Sequence, residues 1–124
     1  MIKGIGIDLI EISRIKKTIQ QNDRFVHRVL TEKEKKIFFS LQSEQRRLEF
    51  LSGRFAAKEA FAKAVGTGIG KLSFQHIEVL TDSLGGPVVT AVGYESCKIF
   101  ISISHSREYA VAQVLIEEST ESNG

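Results

Sequence analysis

The sequence predicts an α+β fold in one small domain, on three observations. Residues 1–12 alternate in character as a strand does, residues 13–66 carry helical periodicity with capping signals, and residues 74–116 break into short β-rich runs divided by turns. At 124 residues, 42% of them hydrophobic, the chain can build a core of its own but is short for an enclosed deep cleft.

Within residues 1–12, Ile5, Ile7 and Leu9 alternate with Gly4, Gly6 and Asp8, and the expectation is a strand with one face in the core, whose glycine side lets another element or a ligand approach the backbone closely. Ser13 is placed to cap a short basic helix running to about Gln21, with Ile15 and Ile19 at i,i+4 spacing. Thr31 and Glu34 form a Thr-x-x-Glu capping box that opens a second helix carrying Ile37, Phe38 and Leu41. A longer helix spans residues 45–65, free of proline, with Gly66 where a left-handed C-terminal cap belongs and a glycine-rich loop to Gly70 after it. Strands are expected at 74–80, 87–92, 99–105 and 109–116, the first two joined through Ser83-Leu84-Gly85-Gly86 and the last two forming a hairpin. The domain is drawn as residues 1–117, with 118–124 expected to be a disordered polar tail.

Charge is unevenly spread. Residues 1–47 hold 11 Lys and Arg against 6 Asp and Glu, whereas residues 48–124 hold 6 against 9, so the basic half offers itself either as a solvated face or as docking surface for an acidic partner. A single cysteine, Cys97, excludes an internal disulfide and fits a reducing cytoplasm. No apolar run approaches the roughly 20 residues that span a bilayer, and none reads as a signal core, so no membrane partner is expected.

On the long helix, Leu48, Leu51, Phe55, Ala62 and Gly66 form one stripe with Glu59 near its middle. A carboxylate on a packing face needs a cation, either Lys63 at i+4 in an ordinary helix pair or a metal ion. Asp8, on the glycine face of the first strand, is a second carboxylate from a different element, and two such oxygen ligands suit magnesium completed by water and phosphate. The loop from Gly66 to Gly70, edged by Lys63 and Lys71, is either a phosphate cradle or a plain cap and turn. His105, at the end of an alternating strand, has no Cys or His partner at zinc spacing.

Three segments, Gly4-Ile5-Gly6-Ile7-Asp8-Leu9-Ile10-Glu11-Ile12, the run from Gly53-Arg54-Phe55-Ala56-Ala57-Lys58-Glu59-Ala60 through Phe61-Ala62-Lys63-Ala64-Val65-Gly66-Thr67-Gly68, and Ile103-Ser104-His105-Ser106, closely resemble the bacterial holo-(acyl-carrier-protein) synthase family. This is the small stand-alone type of the 4′-phosphopantetheinyl transferase superfamily, and the match in order and spacing covers nearly the whole chain. The resemblance implies magnesium-dependent transfer of 4′-phosphopantetheine from coenzyme A to a serine of an acidic apo acyl carrier protein, with release of adenosine 3′,5′-bisphosphate, in support of fatty acid biosynthesis. It implies Asp8 and Glu59 as magnesium ligands and Lys63 beside the transferring phosphate, with Glu59 or a metal-bound water as the base. It also implies that Arg54, Lys63, Gly66, Gly68, Gly70, His105 and Ser106 line the coenzyme A site, that Arg14, Arg24, Phe25 and Arg28 meet the carrier protein, with Phe25 as an apolar anchor, and that the protein is a homotrimer with active sites between subunits.

Two departures from the family pattern stand out: Gly86 replaces the lysine of a common Gly-Lys-Pro turn, and the segment after the glycine loop is slightly short. Two other readings of the same residues are a nucleic-acid or acidic-protein binding module using the basic half, and a metal-dependent nucleotide hydrolase. The first lacks the aromatic platform of a strand-binding protein, and the second would need no carrier protein.

Overall fold

The computed structural model describes residues 1–70 and 72–118. Strand β1 (Ile2–Glu11) leads straight into helix α1 (Ile12–Gln21), followed by α2 (Arg24–Val29), α3 (Glu32–Ser40) and the long α4 (Glu44–Val65). A 3₁₀ turn (Phe74–His76) then precedes β2 (Ile77–Thr81), β3 (Pro87–Ala91), β4 (Cys97–His105) and β5 (Tyr109–Glu118). Every strand pairing is antiparallel: β1, β5 and β4 form one sheet in that order, and β2 with β3 forms a separate hairpin. The α+β class with early helices and late antiparallel strands is the observed one.

Local chemistry accounts for the helix ends. The Thr31 hydroxyl accepts from the Glu34 amide at 3.3 Å while Glu34 Oε1 accepts from the Thr31 amide at 2.8 Å, the expected capping box. Gly66 ends α4 at φ +82°, the left-handed conformation that glycine adopts without strain. Helix α1 begins at Ile12 rather than after Ser13, because β1 runs into it without a loop. The sequence signals left 24–29 unassigned, yet these residues form a helix whose three apolar side chains, Phe25, Val26 and Val29, are buried. Phe74 to His76 turns before the strand rather than belonging to it, and β5 continues to Glu118, into the expected tail; the rest of that tail, 119–124, lies outside the described residues.

The glycine face of β1 is the one that another element approaches, as its missing side chains allow. Ile5, Ile7 and Leu9 are 59%, 58% and 63% exposed, and it is the glycine face that packs inward, against α4. Period-two alternation separates two faces of a strand without saying which one its own chain covers. The alanines of α4 decide it: Ala56, Ala57, Ala60 and Ala64 join Ala112, Val114 and Ile116 of β5 in the main core, where helix and sheet come close only because their facing residues are small.

A second core gathers α1, α2, α3 and the start of α4 around Ile15, Phe25, Val29, Phe38 and Leu51. Between the two sits a fully buried ion pair that the sequence patterns did not disclose. Lys58 Nζ donates to Glu34 Oε1 at 2.6 Å, to the Val29 carbonyl at 2.7 Å and to the Phe74 carbonyl at 3.1 Å, while Glu34 Oε2 accepts from the Val79 amide at 2.6 Å. Burial pushes the lysine down from its ordinary pKa, and Glu34 offsets part of that. The pair is tolerable because its hydrogen-bonding groups are occupied, and it ties α2, α3, α4 and β2 together.

Candidate active site

Helix α4 and strand β1 touch backbone to backbone. A Cβ on Gly4 would overlap the Ala64 carbonyl, and one on Gly6 would overlap the carbonyl of Ala60. Two residues of strand and four of helix advance by similar distances, about 6.7 and 6 Å, so the antiparallel contact keeps step from Gly4 to Gly6. Asp8 is the next residue on that face, and there a side chain is accommodated, with only 15% of it exposed.

Lys63 reaches Asp8. Its Nζ lies 3.0 Å from Asp8 Oδ1 and 3.0 Å from the Ile7 carbonyl oxygen. The alternative reading of Glu59 and Lys63 as an ordinary helix pair does not hold, since among the described residues the ammonium's ion-pair partner is Asp8. Glu59 is half-buried; burial first, and the Asp8 charge second, raise its pKa above the ordinary carboxylate value, with Lys63 opposing. Two carboxylates therefore face one site with Asp8 Oδ2 and both Glu59 oxygens taking no hydrogen bond from the described residues. That donor set, two carboxylates of which only one oxygen is engaged by Lys63, fits a divalent cation such as magnesium, whose remaining ligands are water and phosphate. Among the described residues no cluster of three or more His, Cys, Asp or Glu competes for a metal.

Arg54 lies elsewhere. Nine residues separate it from Lys63, about half a turn of angle around α4, so the two project to opposite sides. Its Nε donates to the Val79 carbonyl at 3.2 Å, its Nη2 to Thr81 Oγ1 at 3.3 Å, and its guanidinium stacks 4.2 Å from the Phe50 ring centre. Burial holds its pKa below the usual value. It lines a groove with Arg46, Glu49 and His105, the last with Nε2 3.5 Å from Glu49 Oε1. Ser106 follows in an adjoining recess with Arg107, and its Oγ accepts the amides of Glu108 and Tyr109, holding the β4–β5 turn. Arg46 escaped the sequence reading; its signal was a second arginine eight residues before Arg54 on the same helix.

The glycine loop is a cap in its first half. The amides of Gly66, Thr67 and Gly68 return to the carbonyls of Lys63 and Ala62, so they offer no phosphate cradle, and the Gly70 amide is shared with the Leu72 carbonyl at 3.4 Å. Lys71 lies outside the described residues.

Arg14 is exposed on α1, and Arg24 and Arg28 are exposed at i,i+4 spacing on α2. Phe25 is not an exposed anchor: it is 7% exposed and its ring stacks 5.7 Å from that of Phe55. On a six-residue helix, the face between two exposed arginine turns is the face that must enter the core.

Comparison with known proteins gives a consistent picture. Residues 4–114 match the family model of the 4′-phosphopantetheinyl transferase superfamily. The chain is 57% identical over 118 residues to a holo-[acyl-carrier-protein] synthase of Geobacillus sp. (strain WCH70), covering 94% of this chain and 98% of that one. It resembles the crystal structure of a holo-(acyl-carrier-protein) synthase from Bacillus anthracis in complex with CoA (3′,5′-ADP), with TM-score 0.88 and 51% identity over 96% of this chain and 99% of that one. It likewise resembles the Helicobacter pylori holo-[acyl-carrier-protein] synthase in complex with coenzyme A, with TM-score 0.80 and 32% identity over 91% and 99% of the two chains.

Proposed function

The chain belongs to the 4′-phosphopantetheinyl transferase superfamily and is an enzyme of its holo-(acyl-carrier-protein) synthase type, and from that premise we propose the reaction it performs. The 4′-phosphopantetheine group passes from coenzyme A to a serine of apo acyl carrier protein, a new serine oxygen–phosphorus bond forms, and the pyrophosphate bond breaks to release adenosine 3′,5′-bisphosphate. The carrier so loaded serves fatty acid biosynthesis. The observation that carries this reading is the convergence of Asp8, Glu59 and Lys63 from two elements on one site.

Magnesium between Asp8 and Glu59 would neutralise the pyrophosphate oxygens when bound. Lys63, held against Asp8 and half exposed, is positioned to meet the negative charge that grows on the bridging oxygen as it leaves. Glu59, whose proton affinity is raised by burial and by Asp8, is the side chain of the cluster suited to take the serine proton. Arg54, His105 and Ser106, with Arg46 beside them, supply donors for the remaining phosphates of coenzyme A, and the surface of Gly66, Gly68 and Gly70 lies past the Lys63 turn.

The reading includes a homotrimer with shared sites. Two observations support it: the exposed sheet face of Ile5, Ile7, Leu9 and Phe100, which is large and apolar for a surface left to water, and the placement of Lys63 and Arg54 on opposite sides of α4. Arg14, Arg24 and Arg28 form the docking face for an acidic carrier protein. A cytoplasmic location goes with the free Cys97 and with helices too short or too polar to cross a membrane.

The decisive experiment incubates the protein with apo acyl carrier protein, coenzyme A and magnesium, and weighs the carrier by mass spectrometry. One phosphopantetheine per carrier is expected, and an unchanged carrier mass under conditions where a known synthase works would overturn the reading.

A further inference from the structure

We propose that the Phe74–Gln75 turn is a positioning element for carrier protein docking, acting through Arg28. The inference rests on the docking role given above to the arginines of α2, and deepens it.

A helix leaves its last four carbonyls without partners inside itself, and a helix as short as α2 is not self-sustaining. At the end of α2 the carbonyls of its last three residues and of the capping residue Leu30 are taken by two side chains from elsewhere. The Gln75 amide nitrogen lies 3.0 Å from the His27 carbonyl, 3.1 Å from that of Arg28 and 2.9 Å from that of Leu30, and Lys58 Nζ takes the carbonyl of Val29. Three acceptors around one nitrogen also fix which end of the Gln75 amide faces α2, because the oxygen would be repelled there.

The same turn supports the Arg28 side chain. Its guanidinium sits 6.0 Å from the ring centre of Phe74, which in turn continues the aromatic stack Phe25–Phe55–Phe74 at 5.7 and 5.6 Å. Residues 74 and 75 thus hold Arg28 twice, by its backbone carbonyl and by its guanidinium. Arg28 is exposed and has no acidic partner among the described residues, so its charge is available to a partner. Ser73 fixes the turn itself, its hydroxyl accepting from the backbone N–H of Gln75 at 3.1 Å.

A purely structural role for Gln75 makes a different forecast from a positioning role. The bonds from Gln75 to the His27 and Arg28 carbonyls are exposed, so water replaces them in Gln75→Ala, and the fold is expected to survive with a small cost at the buried Leu30. What is lost is the fixed place of Arg28, and with it the orientation that docking needs.

The test is a double-mutant cycle of Gln75→Ala and Arg28→Ala, with KM for apo acyl carrier protein, KM for coenzyme A and thermal unfolding measured for all four proteins at low ionic strength. The expected result is a rise of about 3- to 10-fold in carrier KM for Gln75→Ala, a coenzyme A KM within about twofold of the parent, and little further change when Gln75→Ala is added to Arg28→Ala. Additive effects, or a lowered melting temperature with unchanged carrier KM, would overturn the positioning role while leaving Arg28 as a docking residue. If Arg28→Ala itself leaves carrier KM unchanged, the docking face is misassigned and the inference falls with it.

Discussion

Lys63 Nζ stands 3.0 Å from Asp8 Oδ1, a bond across 55 residues that fastens the last turn of α4 to the strand bearing the other carboxylate. The ammonium is still half exposed, so its charge stays open to a ligand. If it meets charge that develops only as the pyrophosphate breaks, Lys63→Ala lowers kcat by about 100-fold and changes the coenzyme A KM far less. Steady-state kinetics separates the two, and an unaltered kcat would take Lys63 out of the reaction.

Glu59 gives a prediction with a definite sign. Folded Glu59 holds its proton more tightly than the unfolded chain does, so its contribution to stability is fully present below the ordinary pKa of 4.5 and is lost as pH rises through the folded value. Glu59→Gln cannot ionise and escapes that loss. Without divalent metal it is expected to melt above the parent at neutral pH, the gap closing as the pH falls toward 4.5, and to be inactive in transfer. Magnesium raises the melting temperature of the parent by linkage and not that of the variant. Equal melting at neutral pH with equal magnesium responses would remove Glu59 from the site.

Gly6→Ala tests how the site is built. The added methyl collides with the backbone of Ala60 and Ala64, which cannot yield as a side chain would. A loss of about 3 kcal/mol or more is expected, the upper end of overpacking, together with loss of activity because β1 carries Asp8 two residues on. Denaturant unfolding measures it, and a shift under about 1 kcal/mol would mean that strand and helix separate easily.

How much of this was legible follows the range of the interactions. Caps are local, so Thr31 with Glu34 and the left-handed Gly66 were readable from a few neighbours. The two carboxylates of the candidate site stood out because each breaks a pattern: Glu59 lies within an apolar stripe and Asp8 ends a row of glycines. The buried Lys58 was not, since its partners come from α2, α3 and the 3₁₀ turn, and nothing within a helical turn of it differs from a solvated lysine. Phe25 was misread for a related reason: beside arginines in sequence, it turns to Phe55 of a helix that passes beneath.

The exposed face of β1 and the two sides of α4 lead to the last prediction. Ile7 is 58% exposed at the middle of the strand and pairs with Gln113 of β5. In the proposed trimer a second and third copy would cover Ile5, Ile7, Leu9 and Phe100 together, and an aspartate at position 7 would be buried unpaired. Ile7→Asp is therefore expected to yield smaller particles in sedimentation and to lose activity while each chain stays folded. The sharper measurement mixes two inactive proteins, Asp8→Ala and Arg54→Ala, after dissociating and reassembling them in equal amounts. If the Asp8 side of one chain works with the Arg54 side of its neighbour, about a quarter of the sites in random trimers join two intact halves, and activity returns to about that fraction. A site held within one chain gives no recovery, because every chain then carries one damaged half. Mixed trimers that form and stay inactive would confine the site to a single subunit and leave the apolar face of β1 with a purely structural purpose.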